Sequence, residues 1–182
     1  MKRIHIIGSA GSGKTVLAAA LASALEIPHV ELDSLFWQEN WQQTATEVFR
    51  DRVREALAAD SWVTDGNYSK ARDIVWARVQ VVVWLDYPLP LIFWRLLRRS
   101  VARAVSGELL WGRNRETFRD LFFSRDSLLW YLLKTHRRRT RQYAGFATSE
   151  EFQHIKFVRL RSPRQTGAWF DGVTSPPARS TG

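Results

Sequence analysis

Residues Gly8-Ser9-Ala10-Gly11-Ser12-Gly13-Lys14-Thr15, GSAGSGKT, match the pattern G-x-x-x-x-G-K-[ST] at every specified position. The spacing has a physical reason. Glycines let the backbone curl until successive N–H groups point inward, where they can surround a phosphate. A helix that follows adds the partial positive charge of its N-terminus. Lys14 is then placed to reach β- and γ-phosphates, and the Thr15 hydroxyl to ligate magnesium. The loop predicts binding of a nucleoside triphosphate, ATP with Mg2+, if a strand precedes it and a helix follows.

Both flanks have the required character. Arg3–Ile7 is a short apolar run that ends at glycine, and Thr15–Leu25 is rich in alanine and leucine. Further out, strands are predicted at Pro28–Leu32, Ser61–Thr64, Val79–Leu85 and Ile155–Leu160. Helices are predicted at Thr44–Ala59, Pro90–Val105, Phe118–Tyr143 and Arg164–Phe170. The apolar face of the Thr44–Ala59 helix is read as Val48, Val53, Ala56 and Leu57. Val79–Leu85 (VQVVVWL) is too apolar for an edge strand. Alternating strand and helix predict an α/β fold with a parallel sheet. The chain is expected to form one domain over 1–172, with a Pro-, Ser- and Gly-rich disordered tail at 173–182.

Composition narrows the class. With 45% apolar and 25% charged residues, the chain has the make-up of a soluble globular protein. It has no cysteine, which excludes disulfides and thiolate metal sites and fits a reducing cytoplasm. The longest apolar region, Val79 to Trp94, is broken by Asp86, Pro88 and Pro90, so no membrane span is expected. The net charge of +9 attracts polyanions without choosing among them. Nine tryptophans are expected to serve mostly in core or lid packing. A GTPase is excluded by the missing N-K-x-D and D-x-x-G motifs, and a transporter ATPase by the missing L-S-G-G-Q. A small kinase-type enzyme remains.

Two aspartates stand at predicted carboxyl ends of strands, where open α/β sheets bind ligands: Asp33 and Asp65. Each can alternatively cap a helix or a turn. Asp86 also ends an apolar strand, but Tyr-Pro follows it and it reads as a turn residue. The run His136-Arg137-Arg138-Arg139-Thr140-Arg141 has two readings: a binder of phosphate, nucleic acid or acidic lipid, or a solvated helix end, where positive charge is favourable without a ligand.

GSAGSGKT, ELDSLFW (31–37), WVTDGNY (62–68), VVVWLDYP (81–88), RLLRRSVAR (95–103) and VRLRSPRQ (158–165) occur in that order. The set resembles the topology-modulation or adenylate-kinase-related P-loop proteins. The resemblance implies a parallel five-stranded sheet in the order 2-3-1-4-5 and an arginine-rich helical lid at about 106–120. It implies ATP-dependent phosphotransfer to a small-molecule or nucleotide acceptor, with Asp33 orienting that acceptor and Asp65 joining Thr15 at the magnesium. Trp37, Gly66, Asn67 and Tyr68 fall beside the implied acceptor site. Arg95, Arg99, Arg113 and Arg115 are the candidate lid arginines, and Arg161 is a candidate to stack on the base. A monomer or homodimer is expected. The family label and the positive charge raise a rival: a nucleic-acid-associated protein whose ATPase is incidental.

Overall fold

The computed structural model describes residues 2–106, 109–110, 114–115 and 128–175. Its strands are β1 (Arg3–Gly8), β2 (His29–Glu31), β3 (Trp62–Asp65), β4 (Val81–Leu85), β5 (Leu109–Leu110), β6 (Asn114–Arg115) and β7 (Lys156–Leu160). Its helices are α1 (Lys14–Leu25), α2 (Leu32–Phe36), α3 (Thr46–Ala56), α4 (Arg72–Trp76), α5 (Leu89–Ser106), α6 (Leu128–Thr148) and α7 (Pro163–Thr174). Five strands form one sheet in the order β2-β3-β1-β4-β7, parallel at every pairing. This is the expected 2-3-1-4-5 order, with a short antiparallel β5–β6 hairpin inserted before the last strand.

Apolar alternation explains the layering. Ile4, Ile6, Val63, Val81, Val83 and Leu85 pack on one face with Leu17, Ala18 and Leu21 of α1 and with Ile92 and Leu96 of α5. Ile7, Trp62, Val82 and Trp84 pack on the other with Phe49 and Val53 of α3 and with Val75 and Trp76 of α4. With both faces covered, β4 is buried at all five residues. Because every pairing is parallel, the strands end along one edge. There Gly8, Leu85 and Leu160 share a row, and Ile6, Asp65 and Glu31 share another.

Several expectations need correction. Leu32 begins a helix and does not end β2; it is buried in either arrangement, so hydrophobicity could not separate them. The buried side of α3 is Phe49 and Val53, continued by Leu57, at a spacing of four, while Val48 is 46% exposed. Of the eight described tryptophans, Trp62, Trp76 and Trp84 are buried, but Trp94 and Trp130 are exposed. Helix α6 runs on to Thr148, so the basic run at 136–141 is in its interior and not at its end. Helix α7 reaches Thr174 and so takes in the first residues assigned to the tail. Within the span 106–120, where a helical lid was expected, Leu109–Leu110 and Asn114–Arg115 pair as antiparallel strands. The remainder of the lid, and the tail beyond residue 175, lie outside the described residues.

Candidate active site

The phosphate loop is shaped by its glycines. Gly11 has φ 81° and Gly13 has φ 91°, both left-handed. A Cβ on Gly11 would stand 2.6 Å from the Ile92 carbonyl oxygen, so α5 can approach only a glycine there. A Cβ on Gly13 would meet nothing within 4 Å: this residue faces open space. One turn bond closes the loop, Ser12 N–H to the Ser9 carbonyl at 3.2 Å, and Leu17 N–H to Gly13 starts α1. The amides of Gly13, Lys14 and Thr15 find no acceptor among the described residues. Ser12 Oγ is buried without a partner among them. The Lys14 ammonium arches back to the Ser9 carbonyl at 3.3 Å. Burial holds its pKa below the usual lysine range; Asp33 and Asp65 oppose that shift, while Arg139 and Arg99 add to it.

The neighbouring strand end is tied to this loop. Asp65 is buried, and each carboxylate oxygen is engaged: Oδ2 accepts from Thr15 Oγ1 at 2.7 Å, and Oδ1 from His29 Nε2 at 2.8 Å. Gly66 turns the chain beneath the site. Its carbonyl accepts from His5 Nε2 at 2.9 Å, while the Trp76 indole donates to His5 Nδ1 at 2.9 Å. Those partners require a neutral imidazole, and burial pushes the His5 pKa down to about 4. Asn67, expected at the acceptor, has another position. Its amide clamps the Gly8 backbone, Nδ2 donating to the carbonyl at 2.5 Å and Oδ1 accepting from the N–H at 3.3 Å.

On the acceptor side, Asp33 lies in the first turn of α2, and its Oδ1 accepts from the Tyr68 hydroxyl. No partner reaches Oδ2 among the described residues. Burial first, then the charge and hydrogen bond of Asp33, raise the Tyr68 phenol well above its usual pKa; a hydrogen bond from Trp37 opposes them. Around these groups Phe36 packs edge-on against Trp37 at 5.0 Å and tilted against Tyr68 at 4.7 Å, and Trp37 meets Trp41 at 5.7 Å. The chain then reverses through two consecutive left-handed residues, Asn40 (φ 55°) and Trp41 (φ 57°), under a Gln38 N–H to Gln42 bond of 2.8 Å. Trp41 is bulky for that conformation. Strand β6 lies against this reversal.

Of the arginines, Arg95 is exposed with its guanidinium 5.5 Å from the centre of the Tyr87 ring, and the charge of Arg99 is felt at Lys14. Arg115 is in β6, and Arg113 lies outside the described residues. Arg161 is exposed; its N–H donates to Gln165 Oε1 at 2.7 Å, and Ser162 caps α7 through Gln165 N–H at 3.2 Å. The sequence reading predicted a helix over Phe118–Tyr143 but not that one face of α6 reaches the phosphate loop. His136 Nδ1 lies 3.2 Å from Ser9 Oγ, Arg139 acts on Lys14, and Thr140 Oγ1 is 3.4 Å from Asp86 Oδ1. Positions 136, 139 and 140 share one helical face, a pattern hidden among neighbouring arginines. Burial lowers the His136 pKa, against the charge of Asp86. Asp86 in turn accepts from Arg159 Nε and Nη2 at 2.9 and 2.6 Å.

The residues present fit a magnesium-bound triphosphate. The loop offers unpaired amides, an orphaned hydroxyl and open space at Gly13. Thr15 and Asp65 offer paired oxygens beside it. Mg2+ takes one or two protein ligands and fills its remaining positions with water and phosphate oxygens, so this pair suffices.

Fold and loop together define an α/β P-loop protein, and the comparisons agree on the fold. The chain is similar to a gluconokinase from Sinorhizobium meliloti 1021, with a TM-score of 0.52 and 18% identity over 95% of this chain and 93% of that one. It is similar to a shikimate kinase from Bacteroides thetaiotaomicron (TM-score 0.55, 17% identity, 94% and 96% covered). A shikimate kinase from Acinetobacter baumannii, solved in complex with shikimate, gives 0.56 and 15% over 95% and 90%. No protein-family model matches. A curated relative, "Uncharacterized protein YqaC" of Bacillus subtilis (strain 168), is 26% identical over 104 residues, 56% of this chain and 58% of that protein. The match thus spans less than two thirds of that relative's length. No helix among the described residues is long and apolar enough to cross a membrane.

Proposed function

We propose that this protein is an ATP-dependent phosphotransferase acting on a hydroxyl of a small-molecule acceptor. The observation that carries the reading is the placement of two differently partnered carboxylates at adjoining strand ends, both acting on Lys14. Asp65 is held through both oxygens by Thr15 and His29, which fixes it beside the place a metal would take. Asp33 keeps one oxygen for an acceptor. The likeness in fold to a gluconokinase and a shikimate kinase supports the same reading.

In this scheme the loop amides and Lys14 hold the β- and γ-phosphates. Thr15 and Asp65 organise magnesium, which supplies charge neutralisation at the phosphates. Asp33 Oδ2 takes the acceptor's hydroxyl proton as that oxygen bonds to the γ-phosphorus and the bond to the β-phosphate oxygen breaks, releasing ADP. Tyr68 fixes the Asp33 carboxylate. Arg99 and Arg139, together with Arg95, Arg113 and Arg115, are the cations available to the transferring group. The nucleic-acid rival rests on the family label, the net charge and the basic run at 136–141, and within that run His136 and Thr140 are directed to Ser9 and Asp86, which weakens its last support.

The test is a transfer screen with ATP and Mg2+ over sugars, sugar acids, shikimate-like acids, nucleosides and nucleotides, with Lys14→Ala as the control for contaminating kinases. One acceptor phosphorylated by the wild type and not by the variant supports the reading. Purified protein that binds no magnesium nucleotide in calorimetry removes it.

A further inference from the structure

The buried carboxylate of Asp65 has two anchors, and only one belongs to the phosphate loop. His29 is on β2, the edge strand, two rows from the strand end. Its register partner is Val63, so Asp65 is its diagonal neighbour on the same face. The ring donates Nε2–H to Oδ1 at 2.8 Å, while Thr15 Oγ1 donates to Oδ2 at 2.7 Å. The Asp65 side chain is 2% exposed, so water cannot replace a lost donor without rearrangement. A carboxylate held through both oxygens cannot rotate about its Cβ–Cγ bond. Oδ2 therefore stays on Thr15, and the Thr15 hydroxyl, its proton spent on Asp65, presents only lone pairs outward.

We infer that His29 is a positioning residue for magnesium. It acts through Asp65 by locking the Thr15 hydroxyl in its metal-accepting orientation. The inference rests on the proposed nucleotide site, yet it concerns a residue that touches neither nucleotide nor metal. Removing such an outer partner typically costs about 10- to 100-fold in metal affinity. His29 is 21% exposed on an edge strand, so its truncation leaves no sealed cavity.

The experiment is calorimetry of ADP binding with and without Mg2+ for the wild type, His29→Ala, His29→Leu and His29→Gln, with thermal unfolding of each nucleotide-free protein. Expected is a roughly 10- to 100-fold loss of the magnesium-dependent affinity in the Ala and Leu variants. Magnesium-free ADP affinity should stay near wild type, and Gln, whose amide N–H can replace the imidazole donor, should recover most of the loss. Magnesium-dependent affinity unchanged in Ala or Leu overturns the inference. So does an equal loss without magnesium, or a Gln variant no better than Leu. If Ala and Leu fail to fold, Gln against wild type still decides, since a Gln variant that folds but loses magnesium coupling contradicts the donor role. A wild type with no magnesium-dependent binding removes the proposed function itself, an outcome distinct from these.

Discussion

The loop between β1 and α1 and the segment from α2 to Thr44 flank the same edge of the sheet, but different materials build them. The first is backbone: amides, two left-handed glycines and one ammonium. The second is side chains: a carboxylate held by a phenol inside a cluster of Phe36, Trp37, Trp41 and Phe49. A backbone cradle recognises phosphate, a group common to every nucleotide. A side-chain wall is free to vary, and in the proposed function it is there that the acceptor would be chosen. The difference predicts that mutations on the two sides will fail in different ways.

The largest effect is expected from Lys14→Ala. Loss of the one loop ammonium should lower transfer on the order of 10³-fold and weaken nucleotide binding as well. Retained activity would break the assignment of the phosphate side. Asp33→Asn should lower kcat by roughly 10²-fold or more, as loss of a general base does, with nucleotide affinity nearly unchanged. An equal loss of both would place Asp33 on the phosphate side and collapse the comparison.

Between the two sides, His5 supports Gly66 and so the turn that carries Asn67 and Tyr68. Its folded pKa, about 4, lies below the 6.5 of an unfolded histidine. The unfolded chain therefore binds more protons between these values. The stabilisation is complete above pH 6.5 and is lost as the pH falls towards 4, by roughly 3 kcal/mol in all. Thermal unfolding followed from pH 7 to 4 should show this loss in the wild type and a flatter profile in His5→Leu; coincident profiles would dismiss it. The smallest effect is expected from Tyr68→Phe. It removes one hydrogen bond to a charged group, about 1.5–3 kcal/mol, and should lower kcat about tenfold while Mg-nucleotide affinity stays constant. A change confined to nucleotide affinity would reassign Tyr68.

The sequence was most legible where strands were continuous and apolar, as in β4, and where a motif was contiguous, as at residues 8–15. It was least legible where a side chain has the choice of several partners. Asn67 stands next to Tyr68, and both were expected at the acceptor, but only Tyr68 turns towards Asp33; Asn67 turns to Gly8. His136 was masked by the arginines around it, because a basic run reads as solvated surface until the helix is rotated into place. Val48 and Phe49 exchanged roles for the same reason: adjacent apolar residues leave the rotation of a helix undetermined until it packs.

The sequence alone determined the phosphate loop and the alternation that makes the sheet parallel. Both depend on neighbours along the chain: glycine freedom at fixed spacing in one case, hydrophobic runs of strand and helix length in the other. Only the tertiary structure decided which polar groups meet. His29 finds Asp65 36 residues away, Asn67 finds Gly8 at 59, and His136 finds Ser9 at 127. Such pairings follow from strand order and register, which place distant residues within a hydrogen bond's reach and which no local pattern encodes.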